Sequence, residues 1–279
     1  MAEAFGIAAG AVGIAAPALH WARLLLADLE RISDAPQTVE SLKGDIHLIE
    51  TTLRSLSAFT ERELAALGTS VIDRSKITLT TCAKSCEKFR ADLLHWTKHS
   101  SHGGLSWRDR ANVGFFKDNK IKSMSEQLRK YQVSLNLVTG MATLHFSIRH
   151  AQITEEMKTA ISDKSAEIAS SITTTDRQLA TVNAELENIH LTRNVSNAPN
   201  SIYDRGPTQD MMGEERAALQ LCLGLLEALK SKNEEARERI DQKERNQSTV
   251  ITFGSNNSGF QLGTNTGSIS GFSFGGRSG

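Results

Sequence analysis

From Asn246 to Gly279 the chain carries a single charged residue, Arg277, and places glycine at every fourth position: Gly259, Gly263, Gly267, Gly271 and Gly275. Inside this run the segment 257–265, NSGFQLGTN, reads nearly the same in both directions about Gln261. Gly259 and Gly263 stand two positions out, Asn257 and Asn265 four. Such a segment cannot enter a globular core, because it has few large apolar side chains to bury and too many glycines to hold a helix. Two states suit it. One is a flexible Gly/Ser/Asn tail. The other is a cross-β stack, in which each Asn or Gln amide pairs with its copies above and below, Phe and Ile form a dry face, and neither proline nor charge interferes. Val250 and Thr252 alternate with Ile251 and Phe253, and Phe260 and Leu262 flank Gln261. The expected core of such a stack is Asn257, Gly259, Phe260, Gln261, Leu262, Gly263, Asn265, Gly267 and Ile269.

The run Phe260-Gln261-Leu262-Gly263 resembles the centre of the RHIM motif of animal necroptosis proteins: an apolar residue, Gln, an apolar residue, Gly. The symmetric Asn-x-Gly-x-Gln-x-Gly-x-Asn frame resembles the fungal pseudo-palindromic (PP) amyloid motif, a relative of it. Phe260 departs from the β-branched residue usual at the first apolar position, though a Phe also stacks in a zipper. The resemblance covers about 20 residues and implies a tail, 246–279, that copies an amyloid fold.

The opposite end is the second unusual feature. Residues 4–22 carry no Asp, Glu, Lys or Arg, and Gly6, Gly10 and Gly13 sit among Ala8, Ala9, Ala11, Ala15 and Ala16. The spacings Gly6-x-x-x-Gly10 and Ala9-x-x-x-Gly13 let helices approach closely in lipid. Nineteen uncharged residues stand at the lower edge of a spanning helix. A signal peptide fits poorly, since the first residues carry Glu3 and no Lys or Arg. A constitutive anchor is weakened by Pro17, His20 and the abundance of Ala and Gly. A buried first helix of a soluble bundle is compatible with the sequence. The reading favoured is a segment, 1–22, that packs at rest and inserts into a membrane after activation, with Phe5, Gly6, Ile7, Gly10, Val12, Gly13 and Ile14 as the inserting residues.

Between these ends the chain reads as all-α. Lys and Arg number 32, as do Asp and Glu, so no global field points to nucleic acid. Four prolines in 279 residues leave long uninterrupted stretches. Leu19, Leu25, Leu26, Leu29 and Ile32 fall at helical spacing over 18–32. A second helix is expected over 39–67, stopped by Gly68, a third over 71–99, and a fourth from about Asp118, after a loop at 100–104 and a short helix near 107–116. Residues 1–150 thus form a helical bundle. Over 151–192, Ile161, Ile168, Ile172, Leu179, Val182, Leu186 and Ile189 follow spacings of 7, 4, 7, 3, 4 and 3, which suits either a coiled coil or a long helix folded back on the bundle. Pro199, Gly206 and Pro207 mark 193–208 as a linker. A last helix is expected over 209–245, its second half charged all round and solvated, ahead of the cross-β-competent tail.

No catalytic motif stands out, and neither a metal nor a cofactor is expected. Cys82, Cys86, His95 and His99 suggest zinc by type, but on one helix Cys82 and His95 are about 20 Å apart at a rise of ~1.5 Å per residue. No ion joins them at bond lengths near ~2 Å. Three scattered cysteines fit a reducing cytoplasm. The cations Lys117, Lys120, Lys122, Arg129 and Lys130 either meet anionic headgroups or form a solvated face.

The blocks EAFGIAAGAVGIAAPALHWARLL at the start, WRDRANVGFFKDNKIKSMSEQLRKYQVSLNLV at 107–138 and EERAALQLCLGLLEAL at 214–229 resemble fungal HeLo-like and STAND-protein N-terminal domains. These are similar to the four-helix bundle of the necroptosis pseudokinase effector. The resemblance implies a cell-death effector of fungal innate immunity, cytoplasmic at rest and at the plasma membrane when active. Its implied partners are an NLR-type receptor bearing a matching amyloid motif, further copies of itself, and membrane lipids. A non-lytic helical adaptor that assembles through its tail is the alternative from another class. A regulatory protein of a secondary-metabolite cluster is a third.

Overall fold

Alanine-rich and leucine-rich stretches with few internal breakers set a helix as the default local state, and the computed structural model has seven helices among the described residues. Residues 2–33, 35–97, 105–106, 114–150, 153–195 and 202–247 are described. The helices are α1 (Ala2–Glu30), α2 (Gln37–Ser57), α3 (Glu61–Ala65), α4 (Thr69–Thr97), α5 (Gly114–His150), α6 (Glu155–Val195) and α7 (Ile202–Gln247). Strand structure among the described residues is one two-residue parallel bridge, in which β1 (Ile32–Ser33) pairs Ile32 with Leu105 and Ser33 with Ser106 of β2 (Leu105–Ser106). It ties the chain after α1 to the connection between α4 and α5.

α1 is the central helix and packs most extensively on α4 and α2. Its apolar stripe, Ala15, Ala18, Ala22, Leu25, Leu26 and Leu29, lies in one continuous core with Leu42, Ile46, Ile49 and Leu53 of α2, Leu79, Cys82, Cys86 and Phe89 of α4, and Leu128, Tyr131 and Leu135 of α5. α5 closes the bundle against α2 and α4. Arg129 reaches Asp45, and Thr52 bonds Asn136, so α2 and α5 run parallel. A small residue at every buried α1 position up to Ala22 lets neighbouring helices approach its backbone.

Several boundaries differ from the sequence reading. The helix expected over 39–67 is two helices, because Ala58 and Phe59 leave the helix and Thr60 starts a new one. The Thr60 side chain accepts from the Glu63 N–H while the Glu63 carboxylate accepts from the Thr60 N–H, a capping box. Gly68 ends α3 with φ of 82°, as its glycine suggested. An alanine there must hold a left-handed backbone. Gly68→Ala is expected to lower stability by about 1 kcal/mol, read from the urea unfolding midpoint.

α1 is one helix from Ala2 onward and passes through Pro17, which is exposed. α6 runs to Val195 and α7 begins at Ile202, so helix occupies both ends of the stretch expected as a 193–208 linker. Pro207 is the sixth residue of α7 and lacks the N–H that would bond the Tyr203 carbonyl, yet the helix continues through it at the loss of that bond. Between them, 196–201 lie outside the described residues, as do the expected loop at 100–104 and 107–113 of the expected short helix. The apolar stripe of α6 is the folded-back alternative: Ile168 enters the main core, while Val182 and Leu186 pack with Met212 and Leu219 of α7. The second half of α7 is not charged all round. Asn233, Ala236 and Ile240 are buried at helical spacing.

By contact density the chain divides into 1–237 and 238–279. Of the second unit, 238–247 are the end of α7 and the rest lie outside the described residues.

Candidate functional site

Two regions were singled out in sequence, one at each end. Phe5, Gly6, Ile7, Gly10, Val12, Gly13 and Ile14 all fall on the first turns of α1. Of their side-chain positions only that of Gly13 is described; it is exposed, and a Cβ added there would meet no atom within 4 Å. Among the described α1 side chains, Ala15 is the first that is buried. Among the described residues no helix is long and apolar enough to cross a membrane. The second set, Asn257, Gly259, Phe260, Gln261, Leu262, Gly263, Asn265, Gly267 and Ile269, lies outside the described residues.

What the structure adds is how the two ends connect to the core. α1 is fastened by charge as well as by packing. The Asp28 carboxylate, 5% exposed, accepts from Arg90 Nε of α4 at 2.6 Å and lies 3.6 Å from Arg31. Glu50 of α2 receives Arg23 of α1 at 2.9 Å and Arg54 at 2.6 Å, and the Arg23 hydrogen bond foremost holds its carboxyl below the usual range. Asp45 is buried and accepts from Ser125 and from Arg129 at 2.9 Å. None of these pairs was anticipated. The available signal was a carboxylate standing on an apolar stripe: Asp28 between Leu25 and Leu29, Asp45 between Leu42 and Ile46. A carboxylate so placed requires a cation when the stripe is buried.

α7 runs antiparallel to α4 along the bundle: Glu214 pairs with Lys88, Gly224 faces Arg74, and Lys232 lies by Gly68. Gly224 sits where α7 crosses closest, since a Cβ there would run into the Arg74 guanidinium. Cys222, Leu225, Leu226 and Leu229 belong to the same core as α1. Ser123 donates to Glu215 at 3.3 Å, and burial raises the Glu215 carboxyl above its ordinary range despite that bond. Asn233 Nδ2 donates to the Ile161 carbonyl of α6 at 3.1 Å.

Cys82, Cys86 and Cys222 are free and buried. The Cys82 thiol is raised well above its ordinary range by its contact with Cys86 and by burial, and burial pushes Cys222 up to about 11. Such thiols are poor nucleophiles. Among the described residues no group of three His, Cys, Asp or Glu could hold a metal ion. Much of the positive charge over 117–130 is engaged: Lys120 pairs with Asp92 at 2.5 Å, Lys122 with Asp118 at 2.7 Å, and Arg129 with Asp45.

The comparisons bear on both ends of the chain. A family model described as pigment biosynthesis cluster protein PigL N-terminal matches residues 2–227, from the start of α1 to the middle of α7. A second, described as SesB domain on fungal death-pathway protein, matches residues 252–271 and so contains all nine residues of the expected cross-β core. No curated protein matches the chain, and no solved structure does. The two matches together support a fungal, cell-death-associated family with a role in cell death or in a gene cluster's product.

Proposed function

The chain belongs to the pigment biosynthesis cluster PigL N-terminal family, and we propose that this member is a HeLo-like cell-death effector triggered through its tail. The observation that carries the reading is the coincidence of the 252–271 death-pathway match with the near-palindrome about Gln261. In this reading a receptor of NLR type, bearing a matching RHIM-like motif, presents an amyloid template. The tails of many effector copies add to it as cross-β layers. Gathering raises the local concentration of the N-terminal segments, so that a weak helix association becomes populated. Residues 2–14 are ~20 Å long at 1.5 Å per residue, short of the ~30 Å hydrocarbon core. They disturb the plasma membrane as a clustered, partly inserted group through Gly6, Gly10 and Gly13. The protein catalyses no reaction, uses no cofactor and stays cytoplasmic until triggered.

The test begins with a peptide of residues 246–279 at neutral pH. Fibrils with the ~4.7 Å cross-β reflection are expected, and their loss in a Gln261→Asp, Gly263→Asp variant. A peptide that stays monomeric in the presence of related fibril seeds refutes the trigger.

A second reading is favoured by the family's description, which names a pigment biosynthesis cluster protein. Here the helical domain is a non-lytic adaptor and the tail only gathers copies. Leakage of anionic vesicles on addition of the seeded full chain separates the two, since an adaptor leaves the vesicles sealed.

A further inference from the structure

The near-palindrome is not the tail's only internal pattern. Ser258-Gly259-Phe260-Gln261-Leu262-Gly263 recurs twelve positions on as Ser270-Gly271-Phe272-Ser273-Phe274-Gly275. The Ser, both Gly and the first Phe are identical, the fifth place is apolar in each, and Ser273 stands where Gln261 does. The second segment lacks the Asn frame, since Ile269 and Arg277 occupy the places of Asn257 and Asn265. The death-pathway match ends at 271 and so leaves out Phe272 and Phe274. Side chains alternate along a strand, so Phe260 and Leu262 share one face of the first segment, with Gln261 opposite. Phe272 and Phe274 share one face of the second, with Ser273 opposite. A stacked apolar face stays wet unless another sheet covers it. Six residues, 264–269, join the two segments. Extended, they reach about 20 Å, against the ~10 Å between packed sheets, and Gly267 lets the link turn. Arg277 lies two residues beyond Gly275. Repeated every ~4.7 Å along a stack, its like charges repel, which ends the core before it.

We propose that 270–275 is a second stacking segment, folded back on 258–263 within each copy, so that Phe260 and Leu262 interleave with Phe272 and Phe274 in one dry seam. This rests on the cross-β reading of the tail. Each copy then adds one layer of two strands, and its own chain covers the apolar face. Gln261 and Ser273 form separate polar ladders on the outer faces, where each side chain pairs with its copies above and below. The growing end presents both strands at once. It therefore selects a chain that carries two apolar pairs twelve residues apart, and the palindromic segment alone is an incomplete template.

The full chain is assembled on seeds of the 246–279 peptide, and the fibrils are digested with proteinase K. Mass spectrometry is expected to find a protected core that extends to 275; a core that ends by 271 overturns the proposal. Fibrils are then grown from isotope-labelled chain diluted in a large excess of unlabelled chain. Solid-state NMR contacts between the Leu262 methyls and the Phe272 and Phe274 rings are expected to persist, because they lie within one copy. Their absence, or their loss on dilution, overturns the fold-back. The variant Phe272→Ser, Phe274→Ser leaves the near-palindrome intact. It is expected to raise the concentration of chain left in solution at equilibrium by at least about a hundredfold, from the loss of two buried rings per layer. An unchanged concentration overturns the proposal. A natural chain that forms no fibrils refutes the cross-β reading of the tail itself and removes the proposal with it.

Discussion

Leu25→Ala is expected to cost about 3 kcal/mol of stability, whereas Gly13→Ala, twelve positions upstream on the same helix, should add up to about 1 kcal/mol. Both are read as shifts of the urea midpoint at constant slope. Leu25 is fully buried in the C-terminal third of α1, and its truncation leaves a cavity between α1 and the helices it packs on, α2 and α4, that a packed bundle closes only in part. A domain of ordinary stability, about 5–15 kcal/mol, loses a large share by this one change. Gly13 is in helix, exposed and free of neighbours, so a methyl group there removes only the excess flexibility of glycine.

The contrast divides α1 functionally. Extraction of the whole helix amounts to unfolding the bundle, since Ala15, Ala18, Ala22, Leu25 and Leu29 are each at most 1% exposed. Pro17 lies inside α1 and lacks the N–H that would bond the Gly13 carbonyl. The α1 ladder therefore lacks the bond from Pro17 to Gly13. Gly13→Leu tests the membrane-active role proposed for the segment 1–22. Stability should hold, because the added side chain has open space, while vesicle leakage by the seeded chain falls if close helix approach in lipid is needed. Unchanged leakage refutes the small-residue mechanism.

The apolar period made most of this architecture legible before any coordinates. Leu42, Ile46, Ile49, Leu53 and Leu56 mark the inner face of α2 and all are buried; Ile161, Ile168, Val182 and Leu186 do the same for α6. Gly68 announced the turn that its positive φ requires. Other features depend on tertiary context. The break at 58–60 carries no glycine or proline, and its signal was the Thr60/Glu63 spacing of a capping box inside an apolar run. Pro207 looked like a breaker, yet α7 continues through it at the loss of one ladder bond. The buried line of Asn233, Ala236 and Ile240 was hidden by the Glu and Arg residues around it. At the tail, the near-palindrome about Gln261 is visible in one chain, and the death-pathway match falls on the same residues.

Asp28→Ala is expected to cost about 3 kcal/mol. The carboxylate is 5% exposed and bonded to Arg90, whose side chain is 27% exposed. Removing the acid leaves a half-buried guanidinium without its anion, and partial access of water to Arg90 keeps the cost at the lower end of the range for broken buried pairs. The double variant Asp28→Leu, Arg90→Met should recover most of the loss, because apolar residues of similar volume need no desolvated charge between α1 and α4. A coupling energy near zero in the resulting double-mutant cycle would mean that the pair is incidental to stability. Recovery has a further consequence for the proposed trigger. The ion pair fixes α1 against α4 at one register, whereas an apolar contact tolerates sliding. The double variant should therefore keep its stability yet leak vesicles at lower fibril loading than the natural chain. If the pair only supplies stability, leakage follows the urea midpoint and the double variant behaves as the natural chain does.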